Sequence, residues 1–311
     1  MNDKNPAYQQ AAADYFPAHV RVNYERIAQL DKPADIGAMG PILTGTPLAG
    51  RPLLFTACLI AMNALNYQFW QRDREGQLVR YQHNGKVGAL AMQSVFIDCW
   101  SQYVPDQATD SQAVACAVRG MKAELEMRDL QGVFGDIPAE ASRLELLDEV
   151  LNTERLLSAA AYLVARVENE NQLGWGDAAL LAYLFPKCYE DQYLKKAQLT
   201  LMFIAAEWRA MNCARDVALE VSAAADYQLP KVLRALGVLE YSPHLQMLVD
   251  QQRPIEANSD MERSIRAATL HACDALALKF VASVEAVDFW LWQQRNVAQT
   301  DKFHLTETTC Y

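Results

Sequence analysis

Apolar residues recur along most of this chain at helical spacing rather than in alternation. After Val87 the helical period runs through about 88–101, 110–128, 139–168, 175–185, 192–222, 227–237, 242–252, 261–281 and 283–294. Breakers separate these stretches at Pro105, Pro138, Gly174-Trp175-Gly176, Pro186, Pro230, Pro243 and Pro254. Upstream, VRVNYERIAQL at about 20–31 reads as another helix, and the first 16 residues as a loose or helical arm. Residues 31–52 are too rich in Gly and Pro for regular structure, and so long an ordered loop beside a core is often functional. Pro52 suits the first turn of a helix carrying LLFTACLIAMNALNYQFW, which is apolar nearly all round and so deeply buried. One strand signal stands out, QLVRYQHNGK at 77–86, a small hairpin with Asn84-Gly85 at its turn. The pattern predicts a mainly α protein, a single helical domain over 1–311 with a small β-hairpin near 77–86.

Composition narrows the function. The 28 Lys and Arg against 38 Asp and Glu leave a net charge of -10. A chain so acidic repels a long nucleic acid, whose binding depends on cations displacing counterions. A small phosphorylated ligand needs only one local cluster of donors and stays open. The seven cysteines are scattered with no Cys-x-x-Cys pair, which fits neither a disulfide framework nor a zinc knuckle. There is no basic start followed by an apolar run, and the stretch at 53–65 is too short to span a bilayer. The expectation is a soluble, cytoplasmic protein without a membrane partner. The chain has no GxGxxG, GxxxxGK[ST], HExxH or GxSxG, and its five scattered histidines argue against a metal site.

Four places depart from plain amphipathic helix. LNYQFW at 65–70 ends the apolar run, and an Asn in such surroundings must find partners, which makes Asn66 more informative than the core aromatics Phe69 and Trp70. In ADYQLPKVLRALGVLEYS, 225–242, Asp226 lies just before a helical turn and Gly237 closes the helix. Spacing alone favours Asp226 as an N-cap. The same geometry would hold a carboxylate beside the helix dipole, where it could stabilise or attack a cationic sugar transition state. Glu262 and Arg266 form an i, i+4 pair of the kind usually found as a weak surface salt bridge. The C-terminal region carries Asp288, Trp290 and Trp292 and ends in aromatic Tyr311, which suggests a tail tucked into the fold; His304 alone reads as structural.

Together these stretches resemble the queuosine salvage family, the queuosine 5′-phosphate N-glycosylase/hydrolase proteins. The resemblance runs through LNYQFW, Ile137-Pro138 with RLELLDE at 143–149, Phe185-Pro186, KKAQ at 195–198 ahead of Trp208, and ADYQLPKVLRALGVLEYS. It continues through Glu262-x-x-x-Arg266, DFWLW at 288–292 and the terminal FHLTETTCY. It implies a monomeric helical fold similar to helix-hairpin-helix DNA glycosylases without their basic surface. It also implies hydrolysis of queuosine 5′-monophosphate to queuine and ribose 5-phosphate, serving tRNA modification, with no cofactor. Asp226 matches the family's essential aspartate, and Lys196 a lysine near the sugar. A 7-deazaguanine base lacks N7, so its departure needs a fixed anion at the sugar and hydrogen bonds to the base. Asp288 or Glu262 suits the guanine-like edge, Phe69, Trp70 or Trp292 suits stacking, and Tyr227 and Arg266 fall within the matching motifs. His304 and Lys196 suit the phosphate and ribose. The chain departs from the family at Leu305 and Glu307, where basic residues are common, at Ala89 and Leu90, where aromatics follow the glycine, and at Gln71 and Ser264. These departures leave open the nucleoside as substrate or a different deazapurine; a queuine-binding protein without activity is a separate alternative.

Overall fold

In a computed structural model of the protein, residues 5–211, 217–296 and 302–311 are described. These hold fourteen α-helices and four two-stranded β-pairings, so the fold is mainly α. The Pro52–Ala64 helix is the hub: every residue from Leu54 to Ala64 is buried. It packs against the Thr153–Glu170 and Lys195–Met211 helices. Each large aliphatic side chain hidden there contributes about 1.5–3 kcal/mol. A second apolar cluster gathers the Asp260–Phe280, Val284–Gln293 and Gln228–Ala235 helices.

Most helical stretches stand where the periodicity puts them, and three differ. The segment at 20–31 splits: Val20–Val22 is a strand whose valines are buried while Arg21 faces out, paired antiparallel with Leu239–Tyr241. Asn23 then caps the Tyr24–Gln29 helix through the Arg26 N–H at 2.9 Å. The stretch at 139–168 is two helices, Glu140–Val150 and Thr153–Glu170, because Asn152 caps the second at the Arg155 N–H. The stretch at 192–222 contains the Lys195–Met211 helix and then the Ala218–Glu220 strand, parallel to Gln172–Gly174. Part of that stretch, 212–216 with Cys213, lies outside the described residues. The N-terminal arm is not loose, since the Pro6–Asp14 helix buries Ala7, Tyr8 and Ala11 against the Asp260–Phe280 helix.

The apolar run also ends sooner than its composition implies. Helix stops at Ala64, and Leu65 to Phe69 turn the chain into the strand Trp70–Arg72. Fully buried Arg143 holds that turn, donating to the carbonyls of Leu65 (2.5 Å), Tyr67 (2.7 Å) and Pro138 (2.7 Å). Trp70–Arg72 pairs with Leu78–Arg80, and Gln82–His83 with Lys86–Val87. The single expected hairpin is therefore two short ones. Asn84 and Gly85 supply the second turn with φ of 47° and 75°, the left-handed pair such a turn requires. Among the described residues no single helix is long and apolar enough to cross a membrane.

Candidate active site

Both apolar clusters contribute to one cavity of about 300 Å³, a size that suits a small ligand. Its wall is assembled from distant segments: the Met39–Ile42 stretch, the turn at 66–69, the second hairpin, the Lys195–Met211 helix, residues 224–229, the Val284–Gln293 helix and Tyr311. The Gly- and Pro-rich loop read from the sequence thus closes one side. Buried Glu207 fixes it, accepting from the N–H groups of Ile42 (2.7 Å) and Leu43 (3.0 Å) through Oε1. Glu285 adds a contact to the Met39 N–H at 3.3 Å.

Asp226 sits just before the Gln228–Ala235 helix. Its Oδ1 accepts from the N–H of Gln228 (2.7 Å) and Leu229 (3.3 Å), so it does cap the helix. Its Oδ2 lies 4.0 Å from Lys195 Nζ and the side chain lines the cavity. Capping therefore occupies one oxygen of the carboxylate and leaves the other beside Lys195. Lys195 Nζ also donates to the Asn66 carbonyl at 3.1 Å, which fixes the ammonium between the turn and the acid. Burial lowers the pKa of Lys195, while Asp226 and Asp288 oppose the shift. Asp288 accepts the Ala224 N–H at 2.7 Å, and burial raises its carboxyl to about 7. Asp226 nearby pushes in the same direction and Lys195 in the other.

Aromatic faces complete the chamber. Phe69, Tyr227, Phe289 and Trp292 line it, the last two stacked with centroids 6.5 Å apart. Gln228 lines it too, with Oε1 buried and without a partner among the described residues.

Of the residues singled out from sequence, Asn66, Phe69, Asp226, Tyr227, Asp288 and Trp292 line the cavity together. Trp70, Lys196, Glu262, Arg266 and His304 do not. Trp70 is buried against Phe303. Lys196 turns away, donating to the Ala64 carbonyl at 3.0 Å, and burial lowers it to about 8. Glu262 and Arg266 are not a surface pair but are buried behind Tyr311. Arg266 holds Asp191 with two bonds of 2.7 and 2.6 Å and lies over the Tyr311 ring. Glu262 accepts from the Tyr311 hydroxyl at 2.8 Å. His304 Nε2 lies 3.3 Å from that hydroxyl, and burial pushes the imidazole down to about 3, keeping it neutral. These three position the Tyr311 wall. Leu305 is buried, with its carbonyl accepting from Ile255, and Glu307 is exposed; neither lines the cavity, whereas Ala89 and Leu90 do.

Sequence reasoning missed Lys195, Arg80, Arg295 and Gln228. A signal existed for Lys195: it shares a helix face with Leu199 and Phe203 at i, i+4, i+8, and all three line the cavity. Arg295 likewise continues the Asp288, Trp292 face at i+7.

Comparison with known proteins identifies relatives of this chain. A relative from Sphaerobacter thermophilus, named queuosine 5′-phosphate N-glycosylase/hydrolase, is 25% identical over 275 residues, 81% of this chain and 80% of its own. A second of the same name from Dictyostelium discoideum is 28% identical over 206 residues, 57% of this chain and 60% of its own. The profile of the family described as queuosine salvage protein matches residues 54–311, which takes in every lining element except the Met39–Ile42 stretch. The chain belongs to the queuosine salvage protein family.

Proposed function

We propose that this protein is an N-glycosidase that hydrolyses queuosine 5′-monophosphate to queuine and ribose 5-phosphate, making the base available again for tRNA modification. The observation that carries the reading is Asp226: one oxygen is fixed by two helix N–H groups and the other is presented to an aromatic-walled cavity beside Lys195 and Asp288. The bond between C1′ of the ribose and the base nitrogen breaks with its electron pair moving to the base. A cationic sugar results, and a carboxylate already held in place stabilises it without reorganisation. Water then adds at C1′, and its proton ends on the departing base.

We assign the base edge to Asp288, which lines the cavity, rather than to Glu262, which is engaged with Tyr311 outside it. Its raised pKa lets it hold a proton near neutrality and share it with a base that must leave without protonation at N7. Phe69, Tyr227 and Trp292 offer faces for stacking. The full chain acts as one unit and as a monomer in this reading, because lining residues run from Met39 to Tyr311. We place it in the cytoplasm, where unpaired cysteines such as the six described here stay reduced.

Ala89 and Leu90, small or aliphatic at the cavity wall, favour a second reading in which a bulkier deazapurine nucleotide is preferred. Purified protein incubated with queuosine 5′-monophosphate and followed by mass spectrometry should release queuine and ribose 5-phosphate in equal amounts. Turnover of another deazapurine nucleotide with queuosine 5′-monophosphate left intact supports the second reading. Release of no base from either sinks both.

A further inference from the structure

Three cations line the cavity among the described residues: Lys195, Arg80 and Arg295. Lys195 is committed to Asp226 and the Asn66 carbonyl. The two arginines are not committed in this way. Eight other arginines of the described residues hold a carboxylate within salt-bridge distance, and Arg80 and Arg295 are in none of those pairs. We propose that Arg80 and Arg295 form the subsite for the substrate's 5′-phosphate, an inference that rests on the reading of the cavity as a nucleotide glycosidase site.

The two side chains reach the cavity from unrelated elements. Arg80 ends the Leu78–Arg80 strand and Arg295 lies in the single helical turn Gln294–Asn296. Arg295 is built into place: its guanidinium stacks 3.3 Å from the Trp292 ring centroid and donates through Nη1 to the Trp292 carbonyl at 2.7 Å. Its own carbonyl accepts from Lys231 Nζ at 2.9 Å. The remaining donors of the fork are left for a ligand. Both side chains line the same cavity, and burial, then the repulsion of Arg80, lowers Arg295 to about 10 while Asp226 opposes the shift. A doubly negative phosphate held by the two guanidinium groups would offset that repulsion, and its oxygens match their planar donors. Among the described residues the tail adds no cation to the cavity wall, to which it contributes Tyr311.

The test compares Arg80→Gln and Arg295→Gln with wild type on queuosine 5′-monophosphate and on the nucleoside queuosine. The readout is the ratio of the two kcat/KM values. Each substitution should lower the preference for the nucleotide by about tenfold or more, mainly through KM, the scale of one charge-assisted hydrogen bond. Arg295→Lys should recover part of the loss. A residue that only supports the fold would lower both substrates together, so a ratio within about twofold of wild type in both variants overturns the proposal. Should wild type turn over neither substrate, calorimetry with ribose 5-phosphate separates the two claims. Binding that both substitutions weaken keeps the subsite and removes the proposed activity. Binding unaffected by them, or none by wild type, overturns the subsite.

Discussion

Neutralising Asp288 should make the protein more stable, and by an amount that depends on pH. Burial raises this carboxyl from its ordinary 3.8 to about 7. The folded state therefore holds the proton more tightly than the unfolded chain does. Stability from this group is greatest below about pH 4, falls as pH rises towards about 7, and then levels off. With those two values, linkage gives a loss of roughly 2.5 kcal/mol between about pH 5 and about pH 8. Asp288→Asn keeps the shape and retains a carbonyl oxygen for the Ala224 N–H, but it does not titrate. Urea denaturation of both proteins at the two pH values isolates the carboxyl together with its coupling to Asp226 and Lys195, because groups remote from it cancel in the difference. Relative to wild type, the variant should gain roughly 2.5 kcal/mol on going from about pH 5 to about pH 8. A difference unchanged within about 0.5 kcal/mol, the reach of independent sites, would refute the burial argument. A group that destabilises the fold near neutrality while facing a cavity is the expected exchange of stability for function.

Other variants probe the rest of the site. Lys195→Met removes the cation opposite Asp226 and should lower kcat by about tenfold to a hundredfold, the scale of general electrostatic assistance, in steady-state assays. Lys196→Met should act on melting temperature, since that ammonium holds the Ala64 carbonyl. Glu207→Ala frees the two N–H groups that anchor the Met39–Ile42 wall, costing about 1–3 kcal/mol, and limited proteolysis should then cut near residues 36–46 sooner than in wild type. Tyr311→Phe leaves the buried Glu262 carboxyl without its hydroxyl donor and should destabilise by about 1–3 kcal/mol, read by thermal melting.

What was legible in the sequence was what local chemistry writes. Pro52, Asn84-Gly85 and Pro243 mark a helix start, a turn and another helix start, because each fixes a backbone dihedral on its own. Three-residue strands such as Val20–Val22 and Ala218–Glu220 leave too few residues to show alternation, and their partners lie far along the chain. One position along a helix rotates a side chain by about 100°, which is why a motif with adjacent lysines did not reveal that Lys195 faces the cavity and Lys196 the core. Glu262 and Arg266 have the spacing of a surface pair; only the returning tail and Asp191 bury them. Arg80 ends its strand and Arg295 lies in a single short helical turn, places where a cation ordinarily faces water, so nothing local distinguished them.

The central claim is that the Asp226 carboxylate drives cleavage of the glycosidic bond in the cavity. Asp226→Asn tests it most directly, because Asn caps a helix as well as Asp and keeps the oxygen that receives the Gln228 and Leu229 N–H groups. Single-turnover release of queuine from queuosine 5′-monophosphate should fall by at least about a hundredfold, with melting temperature nearly unchanged and substrate still bound. Near wild-type turnover by that variant would contradict the account.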